Sequence, residues 1–191
     1  MRLQVMAWGV ALVLGGCSSA PRHRVLEPVP PDVAPRVAAA EATMTEVQQR
    51  LFKRLTAELE RGGPAAAVTV CRDEAQPLTA SVAHERSIEV GRTSHKLRNP
   101  KNAPRAWVAP FVSAAAGAKA ADVKPVVVDL GDRVGVLKPI PTAPLCTSCH
   151  GAREALSPEV AQALKDGYPT DAAVGFAPGD LRGFFWAEVP R

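Results

Sequence analysis

Pro125-Val126-Val127-Val128-Asp129-Leu130-Gly131-Asp132-Arg133-Val134-Gly135-Val136-Leu137 reads as two short strands folded back around a tight turn. β-Branched residues on both sides suit a pleated, buried surface, and Gly131-Asp132 supplies the turn. Upstream the period changes. Arg36 to Arg61 carries Val37, Met44, Val47, Leu51, Leu55 and Leu59, mostly three or four apart, which predicts a helix stopped at Gly62-Gly63. A second helix should run from Pro64 to about Arg86, with Pro77 forcing a break near Gln76. Ser87 to Ser94 reads as a short strand, Leu97 to Pro104 as a polar loop, and Ala106 to Ala116 as helix. Past the hairpin, Pro158 to Lys165 predicts a short helix and Leu181 to Val189 a closing strand, whose Phe184, Phe185 and Trp186 could cover a bound group. Helices first and antiparallel strands later indicate an α+β fold.

Toward the N-terminus, Arg2 precedes an uncharged apolar run from Val5 to Gly16. The run is too short to span a bilayer and reads as an export signal, residues 1–16. It ends in Leu14-Gly15-Gly16-Cys17-Ser18-Ser19, which resembles a bacterial lipobox, so Cys17 is the expected lipidation site. Acyl chains there would anchor the chain to a membrane, with Ser18 favouring the outer one. Prolines 21, 28, 30, 31 and 35 make residues 17–35 read as a tether, leaving 36–191 as one domain. The formal charge of +4 is unclustered and aromatic residues are few, so nucleic-acid binding has no compositional support.

Chemistry concentrates at Cys146-Thr147-Ser148-Cys149-His150. Two thiols spaced in this way can each add to a vinyl group of one haem, and the adjoining imidazole can ligate the iron. A zinc site would need a second ligand pair at similar spacing, and the sequence has none. A thioredoxin-like pair usually opens a helix after a buried strand, whereas this one follows the proline-rich 139–144. The expected cofactor is therefore one covalent haem c held by Cys146 and Cys149, with His150 as proximal ligand. With Cys17 given to lipid, Cys71 is left without a thiol partner. It is either an inert buried residue or the sixth ligand of the iron.

Four segments carry a resemblance to a known family: Val70-Cys71-Arg72-Asp73-Glu74-Ala75; Arg92-Thr93-Ser94-His95-Lys96-Leu97-Arg98-Asn99-Pro100-Lys101-Asn102-Ala103-Pro104; CTSCHG at 146–151; and Tyr168 through Gly183. From about Ala38 to Pro190 the chain resembles the exported, single-haem c-type domains with a PAS-like fold, found alone and as sensory domains of bacterial signalling proteins. Val174 departs from the family's Thr. The resemblance implies a five-stranded antiparallel sheet flanked by helices, haem in the cleft, His150 proximal and Cys71 distal. Met44, His23, His84, His95, a lysine or water are the other occupants of the sixth position. A thiolate opposite imidazole would lower the potential and form a labile bond. Arg92, Lys96 and Arg98 are candidate propionate contacts, and Arg98-Asn99-Pro100 with Asn102 could equally serve to fix a loop. The expected role is a redox or small-ligand sensor, with a one-electron carrier as the alternative. A peroxidase-like enzyme is disfavoured, because Cys71 would occupy the site it needs open. A redox or signalling protein is the expected partner, a diatomic gas the candidate ligand, and the periplasm the expected location.

Overall fold

The computed structural model describes residues 23–191. The signal segment 1–16, Cys17 and the tether as far as residue 22 lie outside the described residues. Five strands form one antiparallel sheet: β1 (Arg24–Val25), β2 (Glu89–Thr93), β3 (Val126–Asp129), β4 (Arg133–Pro141) and β5 (Leu181–Pro190). Their spatial order is β1-β3-β4-β5-β2. The helices are α1 (Ala34–Asp73), α2 (Ala75–Arg86), α3 (Ala109–Ala114), α4 (Thr147–His150) and α5 (Pro158–Gly167). The fold is α+β, a long N-terminal helical region followed by most of the sheet. Among the described residues, no helix is long and apolar enough to cross a membrane.

The β3–β4 hairpin follows from its turn chemistry. Gly131 takes φ 91°, which a side chain would oppose, and its N–H donates to Asp129 Oδ1 at 3.0 Å. Both faces of the strands are buried, so Val127, Val134 and Val136 join one apolar cluster while Val128 and Leu137 join another. The first cluster lies under α1 and α2 and includes Ala40, Met44, Val47, Val82, Phe185 and Val189. The second is closed by Trp107, Val108, Val112, Leu181 and Phe184.

The fifth strand comes from within the stretch expected to be a tether. Arg24 pairs with Asp129 and Val25 with Val128, Leu26 N–H donates to Val127 O at 2.8 Å, and Leu26 and Val33 are buried at 6% and 1% exposure. Prolines signal an extended chain, but the open edge of β3 can pair with any extended segment whose own N–H groups are free. The folded part therefore begins near residue 24 rather than at 36.

The helices differ from expectation in their breaks. Gly63, at φ 72°, interrupts α1 and Pro64 begins its second half, which ends at Asp73. The break before α2 falls at Glu74 rather than near Gln76. Pro77 thus sits in the first turn of α2, where a missing N–H costs nothing. An ion pair spans the joint, Arg54 with Glu74 at 2.7 Å, and Glu58 one turn along the same helix steadies Arg54 at 2.9 Å. Helix α3 is shorter than expected, and Gly117 at φ 79° turns the chain soon after it.

One irregularity in the sheet positions the site. The β4–β5 register shifts between Ile140↔Gly183 and Pro141↔Leu181, so Arg182 is an extra residue. The bulge explains why Leu181 and Phe184, three apart, share one face. Gly183 has φ 154°, and a Cβ there would stand 2.1 Å from Thr93 O.

Candidate functional site

The motif occupies one turn of helix. A 3-10 turn at Pro144–Cys146 leads into α4, with Thr147 Oγ donating to Pro144 O at 2.7 Å. Cys146 and Cys149 are half-buried free thiols. Cys149 packs on a third apolar cluster, Val68, Val160, Leu164 and Tyr168, contributed by α1, α5 and the residue after it. Burial pushes its thiol pKa up.

His150 is held by the loop that follows α5. Its Nδ1 lies 2.7 Å from Ala173 O. A carbonyl only accepts, so Nδ1 carries the proton and Nε2 keeps its lone pair. Burial first, then the charges of Arg182 and Arg98, drive its pKa down to about 2, so the ring is neutral. The backbone repeats the attachment: Phe176 N–H donates to His150 O at 2.9 Å and Gly175 N–H to Gly151 O at 2.7 Å. Gly151 lets the motif's own turn close tightly, because a Cβ there would lie 2.5 Å from Thr147 O. A neutral imidazole with one nitrogen fixed by a carbonyl is the usual state of a metal-ligating histidine.

Cys71 lies in the last turns of α1, half-buried. Burial raises its pKa, and the nearby charges of Arg92, Arg98 and Arg182 oppose that rise. The same three arginines act on His150, and Cys71 also acts on Cys149. The fold thus gathers Cys71, Cys149 and His150 into one electrostatic neighbourhood.

The basic residues divide into two kinds. Arg98 is buried and committed to the protein: it pairs with Asp171 Oδ2 at 3.0 Å and donates to Cys149 O at 2.6 Å and Ala173 O at 3.2 Å. These contacts match the loop-fixing role for Arg98. Lys96 donates to Val174 O at 3.1 Å and lies 5.0 Å from the Phe176 ring centre. Arg92 and Arg182 differ. Among the described residues neither guanidinium has an ion-pair or hydrogen-bond partner. Burial lowers the pKa of Arg92, and burial together with Arg98 and Arg92 lowers that of Arg182 to about 10. Two desolvated cations with no carboxylate within ion-pair distance among the described residues suit an anionic guest.

Arg182, Asp171 and Phe176 are the site residues that residue-by-residue reading missed. Simple alternation along β5 gives no reason to place Arg182 beside Arg92; the bulge does so. Phe176, rather than the β5 aromatics, is the ring at the site, 6.5 Å from the His150 ring and 5.7 Å from that of His95. Phe184 and Phe185 are core residues, and Trp186 stacks under Arg105 at 4.2 Å. Met44 is likewise core at 1% exposure, while His23 and His84 are exposed. His95 borders two cavities of about 320 and 340 Å³, neither with Cys71 or His150 in its wall.

The Tll0287-like family model matches residues 32–190. The chain belongs to the Tll0287-like family. Among solved structures it is similar to the cyanobacterial heme-protein Tll0287, with a TM-score of 0.53 and 21% identity over 85% of this chain and 98% of that one. At that identity the likeness speaks for the fold. No curated protein matches the chain.

Proposed function

We propose that this member of the Tll0287-like family binds one haem c covalently and serves as a redox or small-ligand sensor. The observation that carries the reading is His150, half-buried and neutral, with Nδ1 on Ala173 O and Nε2 free, in the same helical turn as two unpaired thiols. The solved relative's description as a heme-protein adds support. The surroundings fit the group. Val68, Val160, Leu164 and Tyr168 offer an apolar wall, and Arg92 and Arg182 offer two unpartnered cations for two propionates.

When bound, haem supplies a one-electron iron centre and a coordination position for small ligands. Cys146 and Cys149 would fix the macrocycle as thioethers. His150 would donate Nε2 to the iron, and the Ala173 carbonyl would keep its ring from turning. Cys71 would furnish the sixth ligand as thiolate, its negative charge favoured by the three arginines and disfavoured by burial. That balance would leave the Cys71 thiolate a weakly held ligand, one that a proton on its sulfur could displace. The same occupancy argues for sensing rather than catalytic turnover. Export and lipid anchoring through Cys17 complete the proposal, with haem attachment outside the cytoplasm and a protein partner reading the state of the site.

Spectroscopy of the haem-loaded protein tests the ligand assignment. The parent should give a low-spin thiolate signature in the electronic and EPR spectra, and Cys71→Ala should abolish it. An unchanged spectrum removes Cys71 from the iron. The electron-carrier reading draws on the exposure of Leu145, 43%, directly before Cys146, which would leave an edge of the group near the surface. Rapid reversible reduction without ligand loss favours carriage; loss of the thiolate signature on reduction, or binding of CO or NO, favours sensing.

A further inference from the structure

His150 Nδ1 is not alone on its acceptor. Arg98 Nη2 donates to the same Ala173 oxygen at 3.2 Å, beside the 2.7 Å contact from His150. The same Nη2 also reaches Cys149 O at 2.6 Å, so one guanidinium joins the motif helix to the loop that holds the imidazole. Asp171 completes the unit. Its Oδ2 accepts Arg98 Nε–H at 3.1 Å and forms an ion pair with Nη2 3.0 Å away, and its Oδ1 accepts Ala173 N–H at 2.8 Å. Both side chains are nearly inaccessible, 8% and 4% exposed, so solvent screens the pair little.

We propose that the buried Arg98–Asp171 pair is a positioning unit that sets how strongly His150 donates to the iron, and hence the redox potential. The inference rests on the haem reading above. Two donors sharing one carbonyl oxygen compete, so Arg98 weakens the His150 Nδ1–H bond and makes Nε2 less basic. A less basic ligand stabilises ferric iron less, which raises the potential. The Arg98 charge acts in the same direction, and Asp171 offsets it. Arg92 and Arg182 add positive charge of their own, which a change at the pair leaves in place.

The two members of the pair should therefore pull the potential in opposite directions. Spectroelectrochemical titration of the haem-loaded protein is the test. Arg98→Gln should lower the midpoint potential and raise the ferrous iron–imidazole stretching frequency. Asp171→Asn, which can still accept from Ala173 N–H, should raise the potential. The double variant should return toward the parent, and Arg98→Lys, which keeps the charge, should shift less than Arg98→Gln. Damage to packing would instead move both single variants the same way. If they move together, or neither moves while haem stays bound, the proposal is wrong. Should the Arg98 variants fail to load, Asp171→Asn alone decides: a rise supports the proposal, and a fall or no change overturns it. A parent chain that takes up no haem overturns the haem reading and this inference with it, a result distinct from a coloured protein with unmoved potential.

Discussion

At the scale of single residues, Gly151 shows how little room the site leaves. A methyl group there would sit 2.5 Å from Thr147 O, in the backbone of the turn that carries both thiols and His150. Its carbonyl meanwhile receives Gly175 N–H. Gly151→Ala should lower stability by about 1–3 kcal/mol, the usual cost of overpacking a tight site. Thermal unfolding checks this; an unchanged Tm would mean that the turn relaxes freely. The identity of the motif residues was legible in the sequence, because thiol spacing and an adjoining imidazole are local features. The role of Arg98 was only half legible. Its cationic character suggested an anion, but its partners Asp171, Cys149 and Ala173 are far along the chain, and only the folded loop brings them together.

Secondary-structure elements were legible where the pattern is local and less so where neighbours decide. The hairpin at β3 and β4 announced itself through valines and a glycine turn. The bulge in β5 did not, since it depends on the register against β4 and on the closeness of Thr93 to Gly183. Gly183→Ala would force a Cβ to within 2.1 Å of a β2 carbonyl in a backbone region unfavourable to side chains. The β2–β5 pairing should loosen near Arg92 and Arg182. Hydrogen exchange should then accelerate at β2, while the β1–β3 edge stays protected; unaltered exchange at β2 would contradict the bulge's role. The turn of the hairpin has its own acid sensitivity. Asp129 is held at a pKa of about 2, below its ordinary 3.8, first by Gly131 N–H and then by Arg191 and Arg24. A carboxyl depressed on folding contributes its stability above the unfolded pKa and loses it as pH falls through the folded one. Stability should therefore drop between about pH 4 and 2, and Asp129→Asn should flatten that part of the curve; an identical acid limb in the variant would remove Asp129 as a cause.

Over the whole molecule, the largest departure from the sequence reading is where the domain begins. Composition made residues 17–35 a tether, yet β1, Leu26 and Val33 belong to the packed body. Composition reports flexibility in isolation and cannot register that β3 has an open edge to be covered. Leu26→Ala should cost about 2–4 kcal/mol in urea unfolding, within the range for a buried leucine, whereas a residue in a true tether would change stability by less than about 0.5 kcal/mol. The α+β architecture itself was legible, because helical and strand periods occupy separate parts of the chain. What the sheet and helices achieve together is to set a neutral imidazole, two thiols and two arginines without ion-pair partners among the described residues around one place, a place suited to haem. Mass spectrometry of the chain produced alongside cytochrome maturation machinery tests this most directly. A coloured protein heavier by one haem that survives denaturation is expected, with the gain lost in Cys146→Ala/Cys149→Ala. A colourless parent of unaltered mass would contradict that expectation.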